Sequence, residues 1–124
     1  EVLYGGPMMG IAVADLTLPV LKQTNGLLAL SYAEASPRAA TPCIRCGRCT
    51  NACPFGLAPV AIAAANDAAD MEALKKLKGN LCMECGCCSY VCPAKRPLVQ
   101  QNKLAKAALR SYQSKQDKKK GAEK

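Results

Sequence analysis

Hydrophobic and polar positions change their rhythm along the 124-residue chain. Val2 to Tyr4 is a short apolar run that reads as a strand. Thr17 to Lys22 and Leu27 to Leu30 read as two more short strands around Asn25-Gly26, a hairpin-turn dipeptide. After residue 54 the rhythm turns helical. Pro59 to Ala65 is an alanine-rich run with proline near its first turn. Asn66 or Asp67 can cap a second helix that runs to about Lys78. Asp70 and Glu72 sit near its start, Lys75, Lys76 and Lys78 near its end, and Gly79 just past it. Met71, Leu74 and Leu77 fall on one apolar face of that helix, as core positions. Residues 98–112 read as an amphipathic helix in which Leu98, Ala105, Leu109 and Tyr112 share a face, with Lys103, Lys106 and Arg110 elsewhere. From Gln113 onward the chain is polar and charged, and disorder is expected.

Half of the residues are apolar, but many are alanine, and there are four Tyr, one Phe and no Trp. Such a chain buries few large side chains and needs a staple. Nine cysteines are the candidate. The formal charge of +8 sits entirely in the last quarter. Residues 1–93 carry seven Lys/Arg against seven Asp/Glu, whereas residues 94–124 carry ten against Asp117 and Glu123. The longest apolar stretch, Val60 to Ala65, is far too short to span a bilayer. Glu1 opens the sequence without an initiator Met or a visible leader, so a piece of a longer, soluble or peripheral protein is expected.

Two segments align without a gap: Cys43-Ile-Arg-Cys46-Gly-Arg-Cys49-Thr-Asn-Ala-Cys53-Pro54 and Cys82-Met-Glu-Cys85-Gly-Cys-Cys88-Ser-Tyr-Val-Cys92-Pro93. Each reads C-x2-C-x2-C-x3-C-P, and every matched pair is 39 residues apart, as Cys43 is from Cys82. This duplication predicts a pseudo-symmetric pair of sites. The spacing is that of two-cluster ferredoxins, whose fourth cysteine serves the other cluster. Three thiolates at this spacing lie on one tight loop and can cap three corners of a [4Fe–4S] cubane. The fourth, locked by proline, points away from that loop. Cluster I is therefore expected on Cys43, Cys46, Cys49 and Cys92, and cluster II on Cys82, Cys85, Cys88 and Cys53. Gly47 and Gly86 let backbone N–H groups approach the sulfurs, and Pro54 and Pro93 turn the chain out of each site. Eight thiolates around two cores of charge 2+ bring about −4, which leaves an acidic holo core and a basic tail.

Other readings of the cysteines fit less well. Nine is odd for disulfides, and closely spaced triplets would strain them. Structural zinc uses separated C-x2-C pairs without the third and fourth cysteines found here. A Rieske centre needs histidine, and there is none. The ninth cysteine, Cys87, reads as a packed residue rather than a spare ligand or redox-sensing thiol. The tail reads as a solvated segment, or one that contacts anionic lipid or an acidic protein partner. Nucleic-acid binding is not expected, because no aromatic surface accompanies the charge.

The segment Gly5-Gly-Pro-Met-Met-Gly10, then Pro19-Val20-Leu21-Lys22, then the paired ferredoxin motifs, resembles the C-terminal portion of the C subunit of Rnf-type ion-translocating oxidoreductase complexes. The resemblance covers residues 1 to about 112. The helical insert between the motifs already favours a mostly α, α-helical ferredoxin-like domain, here expected over 41–112 and carrying the two clusters, over a compact hairpin-built ferredoxin. A short β and irregular segment precedes it over 1–40, as the end of an upstream domain or a linker, and 113–124 is a basic tail. The resemblance implies a peripheral protein on the cytoplasmic face of the bacterial or archaeal inner membrane, with the other subunits of a membrane complex and ferredoxin as partners. Electrons would be relayed between ferredoxin and NAD⁺, coupled to Na⁺ or H⁺ transport. FMN and NAD(H) belong to the missing upstream part, so no independent catalytic site is expected here. The rivals are another α-helical ferredoxin family, heterodisulfide reductase-like or succinate dehydrogenase-like, the latter lacking its usual two-iron motif here, and a nucleic-acid-binding protein with a structural cluster.

Overall fold

A computed structural model describes residues 1–35 and 39–122, with side chains to residue 116. The chain divides into two units, Glu1–Ala39 and Ala40–Lys124.

The first unit holds a three-stranded antiparallel sheet in the order β2-β1-β3. Its strands are β1 (Val2–Tyr4), β2 (Ile11–Val13) and β3 (Leu27–Ala29). Leu3 pairs with Ala12 on one side and Leu28 on the other. A short helix, α1 (Tyr32–Ala35), follows. The Gly5-to-Gly10 segment makes the β1–β2 turn. The Gly10 N–H donates to the Gly6 carbonyl at 2.7 Å, and a Cβ on Gly10 would lie 2.6 Å from that oxygen, so no larger residue fits there. The strand expected over Thr17 to Lys22 is absent. That stretch is turns, held by Asp15 accepting from the Thr17 N–H and hydroxyl and by Thr24 Oγ1 accepting from the Leu21 N–H. Such side-chain bonds compete with ladder pairing. Asn25-Gly26 accordingly leads into β3 without joining two paired strands. There, Gly26 offers its carbonyl to the Gly5 N–H at 2.8 Å.

The second unit is helical: α2 (Arg48–Asn51), α3 (Pro59–Asp67), α4 (Met71–Lys76), a 3₁₀ turn (Gly79–Leu81), α5 (Cys87–Tyr90) and α6 (Leu98–Ala122). The 39-residue repeat is a repeat of structure as well as sequence. α2 and α5 match end for end, and α3 and α6 begin at matched positions. Gly47 and Gly86, which precede α2 and α5, take left-handed φ values of 75° and 83°. Arg45 and Glu84, one position before the second cysteine of each loop, are left-handed as well. The Gly56 N–H donates to the Cys53 carbonyl as the Lys95 N–H does to that of Cys92.

Two buried groups hold this unit. Leu57, Ile62, Ala65, Leu74, Ala105 and Leu109 form one, with Met71 and Leu77 against it as the sequence pattern implied. Ala63, Cys88, Cys92, Ala94 and Leu98 form the other. Lys75 reaches over the Tyr112 ring at 4.8 Å, which ties α4 to α6.

Helix boundaries depart from expectation at three places. α3 runs two residues further, to Asp67, and the cap of α4 is Asp70, not Asn66 or Asp67. Asp70 Oδ1 accepts from the Ala73 N–H at 2.9 Å. Replacing Asp70 by alanine leaves that N–H without its partner and is expected to lower stability by about 1 kcal/mol, read by denaturant melts. At the end of α4 the left-handed residue is Lys78, with φ 53°, and Gly79 opens the 3₁₀ turn. α6 continues to Ala122, past the end expected at residue 112. Gln113 to Lys120 contains no Pro or Gly and is rich in Lys and Gln, which sustain a helix. The tail side chains from Asp117 to Lys120, and Glu123 and Lys124 entirely, lie outside the described residues, as does Arg38. Among the described residues no helix is long and apolar enough to cross a membrane.

Candidate iron–sulfur centres

Each C-x2-C-x2-C run is a loop that ends in a one-turn helix. The left-handed pair Arg45 and Gly47, or Glu84 and Gly86, coils the loop so that three cysteines are presented within seven residues. Backbone N–H groups are turned inward by the same coiling, and the Arg45 N–H lies 3.4 Å from Cys43 Sγ. Such bonds neutralise charge on thiolate sulfur. All nine cysteines are free thiols.

One pocket is lined by Cys82, Cys85 and Cys88 of the second loop and by Cys53 of the first, with Val99 and Asn102 of α6 on its wall. Its exposed lining is otherwise almost wholly apolar. The 39-residue mates of Val99, Asn102, Cys88 and Cys53 are Val60, Ala63, Cys49 and Cys92, and these four meet in the second buried group. The Thr41 N–H donates to the Ala94 carbonyl at 2.9 Å, which draws the start of the first loop to the chain beyond Cys92. Cys43 is half-buried and Cys46 exposed at the outer rim of that loop. Cys92 lines a groove with Arg48, Asn51 and Tyr90, of which neither Cys43 nor Cys46 is part.

Among the described residues no three Cys, His, Asp or Glu side chains converge closely enough for a single metal ion. A cubane gives each thiolate its own iron and holds the sulfurs further apart. Four thiols on an apolar wall suit this soft-ligand chemistry.

Burial pushes the Cys88 thiol up to about 11, above its usual range. Cluster uptake must remove that proton, so uptake is opposed as pH falls. Cys87 lies beside Cys85, whose hydrogen bond raises the Cys87 thiol, and within electrostatic reach of Cys53. The sequence pattern favours a packing role for Cys87 over that of a spare ligand or redox-sensing thiol; its place near Cys85 is local, and its approach to Cys53 comes from the fold. Lys106 on α6 donates to the Cys82 carbonyl at 2.7 Å and to Glu84 Oε1 at 3.0 Å, which ties the second loop to the helix behind it. The sequence places Lys106 on an outer face, because nothing local shows that α6 passes the second loop.

The 4Fe-4S dicluster domain family matches residues 39–96. Over 114 residues, 92% of the chain, it is 45% identical to the C subunit of the ion-translocating oxidoreductase complex of Rhodobacter capsulatus. It is 52% identical over 60 residues, 48% of the chain and 8% of the relative, to the corresponding C subunit of Pseudomonas aeruginosa. The C subunit of the proton-translocating ferredoxin:NAD(+) oxidoreductase complex of Clostridium ljungdahlii is 42% identical over 59 residues, 48% of the chain and 13% of the relative. The fold and motifs thus place residues 39–96 in the class of 4Fe-4S dicluster domains. The chain belongs with the C subunits of the ion-translocating oxidoreductase complexes, and it spans 22% of the length of the Rhodobacter capsulatus relative.

Proposed function

We propose that residues 40–124 are an electron-relay module holding two [4Fe–4S] clusters, within a complex that moves electrons between ferredoxin and NAD⁺ and couples them to Na⁺ or H⁺ transport. Cys43, Cys46, Cys49 and Cys92 hold one cluster, and Cys82, Cys85, Cys88 and Cys53 the other. The observation that carries this reading is the pocket that brings Cys53 to the second loop's three cysteines. Each group, when bound, supplies a one-electron couple.

The chain's own residues do the rest. The loops fix the sulfurs, backbone N–H groups offset their charge, and the apolar wall limits water. Ala63, Cys88, Cys92 and Leu98 form a continuous buried strip that contains ligands of both quartets. FMN and NAD(H) binding, ferredoxin docking and the peripheral placement at the cytoplasmic membrane face belong to the longer protein and its partners in the complex.

The test is anaerobic preparation of the chain with iron and sulfide assay and EPR. About eight irons per chain are expected, with two paramagnetic centres on dithionite reduction that re-oxidise on addition of an acceptor. Zinc in the preparation, or centres that cannot be reduced reversibly, would overturn the reading.

A further inference from the structure

The two halves of the duplication are not equivalent where α3 and α6 face the cysteines. Position 63 of α3 is alanine, fully buried beside Cys49 and Cys92. Its 39-residue mate is Asn102 of α6, which lines the pocket with Cys53, Cys82, Cys85 and Cys88. Asn102 is 1% exposed, and its Oδ1 is buried with no hydrogen-bond partner.

A buried amide oxygen without a partner is costly, and in an otherwise apolar wall it calls for a reason. The pocket supplies one. Cluster and thiolate sulfurs only accept hydrogen bonds, so of the amide's two ends only the NH₂ group can serve them. The amide's two ends have the same shape. A half-turn about the last side-chain torsion exchanges the two ends at no steric cost, so the NH₂ group is free to be the end turned to the pocket. Gln101 also has a buried, unpartnered Oε1, but it does not line the pocket.

We propose that Asn102 is a tuning residue. Its side-chain amide donates a hydrogen bond to a sulfur of the cluster held by Cys53, Cys82, Cys85 and Cys88, and so makes that cluster easier to reduce than it would be with the alanine found at the matching place in the other half. This rests on the two-cluster reading above. Reduction adds one negative charge to the cluster. A donor aimed at the sulfur stabilises that charge more than it stabilises the oxidised form, so the potential rises.

The charged groups nearby do not override this. On the Asn102 side, Glu84 is paired with Lys106 at 3.0 Å. On the other loop, Arg45 and Arg48 are exposed, and water and salt screen them. Asn102 acts from a dry wall, where a dipole is worth more.

The experiment uses the whole chain with both clusters loaded and titrates each EPR signal against potential. Asn102→Ala recreates the other half's residue, and Asn102→Leu keeps the γ-branched outline without a donor. Both variants are expected to shift one midpoint downward and leave the other in place, the shifted signal being the one lost when Cys53→Ala is combined with Cys87→Ala. Two unmoved midpoints, or equal shifts in both, would overturn the proposal. If the variants do not fold, asparagine labelled with ¹⁵N at the side-chain amide decides. Pulsed EPR of the unaltered chain should then show a nitrogen coupling on that reduced cluster, and its absence sinks the idea. Failure of the two-cluster reading looks different, because the unaltered chain would then lack two reducible centres to titrate.

Discussion

Cys53→Ala is expected to disable the cluster on Cys82, Cys85 and Cys88, and to leave the one on Cys43, Cys46 and Cys49 intact. Cys53 is four residues from Cys49 in the chain and 29 from Cys82, so a local reading would give it to the first loop. The fold argues otherwise. Pro54 turns the chain away from the first loop, and Cys53 lines the second loop's pocket. Its mate Cys92 sits with Cys49 in the same manner.

The measurement is iron content with EPR, set beside two reference variants. Cys53→Ala should resemble Cys82→Ala and differ from Cys43→Ala, with iron falling from about eight to about four per chain if the three-ligand cubane is lost whole. Cys87 complicates the single variant, because it lies beside Cys85 and within electrostatic reach of Cys53. Its thiol is positioned to stand in for the missing ligand. The pair Cys53→Ala with Cys87→Ala removes that route and should show the full loss. A spectrum matching Cys43→Ala would mean that each run of four cysteines keeps its own cluster.

Much of this is legible in the sequence because cluster ligands are local. Spacing within a loop, the glycine that lets it coil and the proline that ends it all lie within twelve residues, and the 39-residue offset pairs them. The same locality makes Pro59 and the Met71, Leu74, Leu77 face readable. What escapes is set by competition between neighbouring polar side chains or by the partner half of the repeat. The turns over Thr17 to Lys22 depend on Asp15 and Thr24, which outcompete a ladder that β1 fills with other partners. Asp70 caps α4 because α3 consumes Asn66 and Asp67. Asn102 does not stand out in the amphipathic pattern of residues 98–112, although it lies between Leu98 and Ala105 on the buried face. Extending the duplication past Pro93 exposes it: α6 starts where the repeat of α3 starts, so position 102 falls on Ala63, deep in the core. A polar residue in that place is a signal that only the repeat makes visible.

Stripping the clusters with an iron chelator is expected to unfold most of the helical unit. Only four large apolar side chains, Ile62, Leu74, Leu98 and Leu109, are fully buried among the described residues. So few make a thin core to set against the conformational entropy of ordering the whole unit. The second buried group counts Cys88 and Cys92 among its members, and Cys49, Cys53 and Cys82 pack at the edges of the two groups. Without iron, these become thiols with no bond between the repeats. α2 and α5, at four residues each, cannot persist as isolated helices. Bound metal is folding free energy in such domains, on the order of 10 kcal/mol for structural zinc. Far-UV circular dichroism before and after chelation measures the effect. More than half of the helical signal should disappear and return when iron and sulfide are restored under reducing conditions. Return should be favoured by raising the pH from about 7 toward about 9, because reassembly releases thiol protons and an exposed thiol titrates near about 8.5. A cluster-free chain that keeps its helical signal and its cooperative melt would show that the side-chain core suffices, and that the thiolate quartets are guests of the fold and not its fasteners.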